Sequence, residues 1–256
     1  MFNFFANENE RNGNLFYLRG DNFHHIKNVL RMKPGEKFLI SFGGVSSLSA
    51  LKYFGENEAV CEVLEENYSS NELETKIYLF QGLPKSDKLE LITEKTVELG
   101  VFEIIPTEMK RSIVKFDNKK KEAVRSRLQK ISESAAKQSK RNLIPAVSEV
   151  LSFKAALCKA KELDTILVPY ENENGTKGTI GALAEIKKGS SVGVFIGPEG
   201  GFDESEIEVL KEAGAKIISL GRRILRTETA AITSVSLLMM NEELAFLTEE
   251  GGKPKA

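Results

Sequence analysis

The sequence predicts an α/β chain in which a small β-barrel precedes a larger domain built on a mostly parallel sheet. Three observations carry that expectation. Roughly the first 70 of the 256 residues read as short apolar runs broken by Gly, Asn and Pro, the pattern of strands and turns. From Lys76 onward the runs alternate with helix-like stretches, which implies βα units and a sheet covered on both faces. Those later runs end at Pro or Gly, where open α/β sheets place their ligand-binding loops.

In the first domain the expected strands are LFYLRG, EKFLIS and AVCEVLEE. HHIKNVLRM, between the first two, is a short helix ended by Pro34 and Gly35. The stretch GENEAVCEVLEENYSSNELET turns polar, and a boundary near Glu72 separates residues 1–72 from residues 73–250. In the second domain KIYLFQGL is a strand. Ser86 or Asp87 caps a helix through Leu99, with Leu89, Ile92 and Thr96 on one face and Gly100 as its stop. VFEIIP is the next strand, closed by Pro106. A long basic helix runs roughly from Lys119 to Lys137, and TILVPY, SVGVFIGP and KIISLG are further strands. The tail GGKPKA, residues 251–256, is expected to be disordered.

Composition excludes several function classes. No apolar run is long enough to span a membrane as a helix. MFNFFANENE lacks a basic start followed by a long apolar stretch, so no secretory leader is expected. Cys61 and Cys158 stand far apart, which fits a reducing cytoplasm better than a disulfide framework or a zinc site. His24 and His25 are the only histidines, so no metal held by several histidines is expected. Net charge is −1, yet the charge is uneven. Residues 1–75 balance at −4, residues 76–147 at +7 and residues 148–256 at −4. Between Lys110 and Arg141 there are 12 basic and 3 acidic residues. Local density decides whether phosphates are attracted, although a solvated helix surface reads the same way.

The strongest chemical signal runs from Gly197 to Ile232. Gly197-Pro198-Glu199-Gly200-Gly201 is a loop whose glycines permit positive φ or close backbone approach to a ligand. Asp203 caps the next helix with Glu206 completing a capping box, and Gly214 stops it. LGRRILRTETA then places three arginines in an otherwise apolar stretch, where burial without partners is costly. Neither GxxxxGK[ST] nor GxGxxG is present, so this is not a nucleotide phosphate loop of either common kind. GPEGG alone reads first as a set of structural turns.

Five blocks in order resemble the RsmE family of small-subunit rRNA uridine methyltransferases, in the SPOUT class. They are HHIKNVLRMKPGE, EKTVELGVFEIIPTEMKRSI, AAKQSKRNLIPAV, GPEGGFDESEI and LGRRILRTETAAI, and they cover nearly the whole chain. The resemblance implies a PUA-like β-barrel over residues 1–72 that binds RNA, then a SPOUT trefoil-knot methyltransferase domain. It implies S-adenosylmethionine held by three loops. The first supplies Val168, Pro169 and Tyr170, the second Gly197, Pro198, Glu199 and Gly200. The third runs through Leu220, Gly221, Arg223, Ile224, Leu225, Arg226, Glu228, Thr229 and Ala230. Backbone groups of Leu220, Ile224 and Leu225 are expected to bond the adenine. The family pattern also implies a homodimer, and the apolar helix from Thr227 suits either an interface or an ordinary core.

If the methyl acceptor is uracil N3, its proton must leave, and a cation that stabilises the anion helps. Arg226 is the candidate cation, because a guanidinium stays charged and forks onto carbonyl oxygens. Glu199 and Glu228 are candidate bases, or equally structural partners of Arg223 or Arg226. RNA contacts are expected from His24, His25, Lys27 and Arg31 on the first short helix, with packed histidines as the plainer alternative. Lys110, Arg111, Arg125, Gln138, Lys140 and Arg141 are expected to fix phosphates. A non-catalytic RNA binder would not need the GPEGG and ILRTETA blocks, and an enzyme for a tRNA ribose would differ in the barrel and middle blocks.

Overall fold

Alternating burial builds the first sheet of the computed structural model, which describes residues 1–85, 87–170 and 177–249, with side chains given to residue 245 except that of Lys177. Its strands are β1 (Asn3–Phe5), β2 (Arg11–Asn12), β3 (Leu15–Arg19), β4 (Lys37–Phe42), β5 (Val45–Phe54) and β6 (Glu58–Ser69). They pair in the order β1-β4-β5-β6-β3-β2, antiparallel except β1 with β4. Phe16, Leu18, Phe38, Ile40 and Leu51 point to one core with Ile26. Register shifts between β5 and β6 add local twist. β5 is absent from the sequence expectation because Ser46, Ser47 and Ser49 are buried on it and hide the apolar alternation.

The short helix differs in detail from its prediction. α1 covers Gly20–His24 and passes into a π-helical turn over His25–Val29. It ends at Arg31, whose φ is +52°, before Pro34 is reached.

The second sheet is parallel throughout. β7 (Lys76–Gly82), α2 (Lys88–Glu98), β8 (Glu103–Glu108) and α3 (Asn118–Gln138) come first in sequence. β9 (Ala146–Val147), β10 (Leu151–Ser152), α4 (Phe153–Ala160), β11 (Thr165–Pro169), α5 (Lys177–Ala184) and β12 (Ser191–Ile196) follow. α6 (Glu204–Glu212), β13 (Lys216–Ile218) and α7 (Thr227–Glu249) complete it. The strand order is β10-β8-β7-β12-β11-β13, with β9 also on β8. Pro106 lies inside β8 rather than closing it. The face of α2 is as expected, with Leu89, Ile92 and Thr96 buried. Asp87 makes no side-chain cap there, and Ser86 and the tail 251–256 fall outside the described residues. In the core Phe80 stacks on Phe195 with centroids 4.4 Å apart. Gly193 makes room for that pair, since a Cβ there would stand 3.1 Å from Phe80 Cε2 and 2.9 Å from Leu163.

The chain divides into two compact units, Met1–Glu72 with Ala136–Ile144, and Leu73–Ala135 with Pro145–Ala256. The segment 136–144, placed by the sequence reading in the second domain, therefore groups with the first. Arg141, only 4% exposed at its side chain, pairs there with Glu72. Asn142 bonds Ser46, Ser69 and the backbone of Asn71, and Asn3 donates to the Arg141 carbonyl.

Burial also separates the two thiols. Desolvation pushes the Cys61 pKa up to about 12, while Cys158 is exposed. Folded protein at about pH 8 is expected to react at Cys158 alone with a disulfide reagent, and at both thiols once denatured. Two reacting thiols in the native state would contradict the burial of β6.

Candidate functional site

Three strand ends on the carboxyl edge of the parallel sheet surround one cavity of about 470 Å³. β11 delivers Pro169 and Tyr170, β12 delivers Ile196 to Phe202, and β13 delivers Ser219 to Thr227. Each loop is tied down. Gly201 N donates to Pro198 O at 2.9 Å and has φ +68°, so the glycine loop is a tight turn. Asp203 and Glu206 then form the capping box of α6. Thr179 Oγ1 donates to Ser219 O and accepts from Ser219 N, both at 2.9 Å. Thr227 Oγ1 donates to Gly197 O at 2.7 Å and accepts from the buried Gln81 Nε2 at 3.0 Å. Gly82 lies hard against this loop, since a Cβ there would meet Pro198 N at 2.7 Å.

Most residues named from the sequence meet at this cavity. Val168 does not line it, being buried in β11, and Glu228 and Thr229 lie off its wall. The sequence reading missed Lys88, Ile196, Phe202 and Ser219.

The charges are arranged differently from expectation. Arg222, Arg223 and Arg226 are exposed, so the cost of burial is not what marks them. Among the described residues none of the three has a side-chain partner. Ile224 beside them is 84% exposed. Glu199 and Glu228 pair with Lys88 rather than with an arginine, at 2.9 and 3.4 Å. The 3.4 Å contact with Glu228 is an ion pair without hydrogen-bond geometry, which leaves Glu228 Oε2 buried and unbonded. Burial pulls the Glu199 carboxyl upward, but hydrogen bonds from Lys88 Nζ and backbone N–H groups outweigh it and hold the pKa below the ordinary value. The hydrogen bond to Glu199 raises the Lys88 pKa.

The basic residues sort into engaged and open groups. Lys110 Nζ lies 3.2 Å from Asp203 at the start of α6, and Arg111 donates to Gly200 O at 3.2 Å and so braces the glycine loop. Arg125 reaches Glu122 and Val147 O. Arg141 is withdrawn from any phosphate by burial, which corrects its assignment to RNA. Gln138 and Lys140 are exposed. His24, His25, Lys27 and Arg31 are all exposed, with His25 edge-on to Phe4 at 5.9 Å and Lys27 over Phe23 at 4.9 Å. No group of three metal-ligating side chains occurs among the described residues, and none of their helices is long and apolar enough to cross a membrane.

A family described as an RNA methyltransferase domain matches residues 71–239, and an RNA methyltransferase PUA domain matches residues 18–46. Ribosomal RNA small subunit methyltransferase E of Bacillus subtilis is 40% identical over 234 residues, 90% of this chain and 91% of that protein. The chain belongs to the ribosomal RNA small subunit methyltransferase E family. The Mesomycoplasma hyopneumoniae member is 34% identical over 91% of this chain and 96% of its own length. The crystal structure of the Neisseria gonorrhoeae member, bound to S-adenosyl methionine, superposes with a TM-score of 0.78. It is 30% identical and the match covers 94% of this chain and 97% of that one. The fold is a PUA-like first unit followed by an α/β unit built on a parallel sheet.

Proposed function

We propose that this chain transfers the methyl group of S-adenosylmethionine to N3 of a uridine in small-subunit (16S) ribosomal RNA. The observation that carries the reading is the cavity framed by the GPEGG loop and the LGRRILRTETA turn, in a family whose Neisseria member is solved with that cofactor. The residues fit the group. Backbone groups of Leu220, Ile224 and Leu225 suit an adenine edge, and Ile196, Phe202 and Tyr170 give apolar walls. Once bound, the cofactor supplies an electrophilic methyl on a sulfonium sulfur.

Arg226 sits on the cavity wall with its charge unneutralised by any described residue. It stabilises the uracil anion formed as the N3 proton passes to water, and its planar fork matches a carbonyl oxygen. Glu199 is a poor base, because its carboxylate is engaged by Lys88 and held at a lowered pKa. RNA is held in the first unit by His24, Arg31, Gln138 and Lys140, and in the second by exposed lysines of α3. The chain works as a homodimer through α7, where Met240 and Leu244 are exposed and Ile232 and Leu237 half-buried. This reading places the protein in the cytoplasm with the ribosome.

Calorimetry is expected to show S-adenosylmethionine binding that a chelator leaves unchanged. Small-subunit RNA from cells lacking the protein is expected to lose one methyl, mapped by mass spectrometry to a uridine base. Absence of cofactor binding, or an unchanged methylation map, overturns the reading.

A further inference from the structure

Lys88 and Glu199 form a charged pair on the cavity wall whose unused atoms match a zwitterion. Glu199 is the single carboxylate lining the cavity among the described residues. Its Oε1 takes Lys88 Nζ at 2.9 Å and Lys85 N at 3.0 Å. Its Oε2 has only a 3.3 Å contact with the same Lys85 N–H, so it retains capacity for another donor. An ammonium has three protons to give. Lys88 spends one on Glu199, and its 3.4 Å contact with Glu228 lacks hydrogen-bond geometry. An open acceptor and an open donor therefore stand side by side, each side chain about 30% exposed. The rest of the described wall is backbone, apolar side chains, the hydroxyl-bearing Tyr170, Ser219 and Thr227, and Arg223 and Arg226. Among the described residues a ligand ammonium finds no other carboxylate there.

We propose that the Lys88–Glu199 pair is the subsite for the amino-acid end of the cofactor. The α-ammonium donates to Glu199 Oε2 and the α-carboxylate accepts from Lys88 Nζ. This rests on the reading of the cavity as the S-adenosylmethionine site. It also makes Glu199 a binding residue rather than a base. The raised pKa of Lys88 and the lowered pKa of Glu199 keep both charged at neutral pH.

The test uses the full-length protein and three ligands. These are S-adenosylmethionine, its decarboxylated form, which keeps the amine, and 5′-methylthioadenosine, which has neither charged group. Affinities are measured by calorimetry for the wild type, Glu199→Gln, and Lys88→Met combined with Glu228→Gln. The combination prevents Glu228 from being left as an unpaired buried charge. Glu199→Gln is expected to weaken S-adenosylmethionine and the decarboxylated ligand by about 10- to 100-fold. The Lys88→Met combination is expected to weaken S-adenosylmethionine by a similar factor and to spare the decarboxylated ligand. Methylthioadenosine should bind all three proteins alike, which also shows that each variant is folded. Equal losses for every ligand would make the pair a brace for the loops and overturn the subsite alone, as would no loss at all. A wild type that binds none of the three overturns the cofactor reading and the subsite with it.

Discussion

Replacing Arg226 with alanine is expected to lower methyl transfer by about 100- to 1,000-fold while cofactor affinity stays near the wild-type value. The change removes an exposed guanidinium and leaves the loop backbone in place, including the Arg226 carbonyl that accepts from Ala230 N at 2.8 Å. Charge develops on the methyl acceptor as its proton leaves, so a cation matched to that charge acts mainly in the transition state. Lysine at position 226 should restore part of the rate, since it keeps the charge and lacks the planar fork. The rival account, in which Arg226 braces the loops through Glu199 or Glu228, is disfavoured because both carboxylates pair with Lys88. Under that account turnover, affinity and melting temperature would fall together. Turnover, calorimetry and melting on one preparation distinguish them, and a normal rate ends the proposal.

The second large effect is on stability. Arg141→Ala is expected to destabilise the first unit by about 3–5 kcal/mol, because it strips the partner from a largely buried carboxylate. Glu72 also accepts from the backbone of Asn142 and Leu143, so it cannot turn outward without breaking those bonds. Lys140→Ala, one residue earlier and exposed, is expected to change stability by less than about 0.5 kcal/mol. Amide exchange in β4, β5 and β6 reports the first unit directly, which matters when two units need not unfold as one. Exchange in Arg141→Ala as slow as in the wild type would remove the ion pair from the stability account. RNA affinity is better probed by Lys140→Glu, whose effect should shrink as salt rises.

Much of the parallel sheet was legible because its strands are short apolar runs with Gly or Pro near their ends. β7, β11, β12 and β13 fall where those runs lie, and α3 spans Asn118–Gln138 against an expected Lys119 to Lys137. The Asp203 cap was legible from spacing alone, since a capping box is local. β5 was not, because serines occupy its buried face. Lys88 was not, because it meets Glu199 across 111 residues and no local pattern marks such a meeting. The arginines of LGRRILRTETA drew notice for the wrong reason. All three are exposed and only Arg223 and Arg226 line the cavity, and composition along a chain does not report which way a side chain faces. Arg141 erred in the opposite sense, since a basic run looks uniform in sequence while its last member is buried.

The Glu72–Arg141 pairing bears on the order in which the protein is made. The two residues are 69 positions apart, so the carboxylate leaves the ribosome long before its partner. At about 5–20 residues per second the interval is roughly 4 to 14 seconds. During that time the nascent first unit lacks Asn142 to bridge Ser46 and Ser69, and it completes its folding only after much of the next unit has emerged. A fragment cut at Glu72 would carry the same gap permanently. Grafting this unit onto another protein therefore requires supplying residues 136–144 as a second piece.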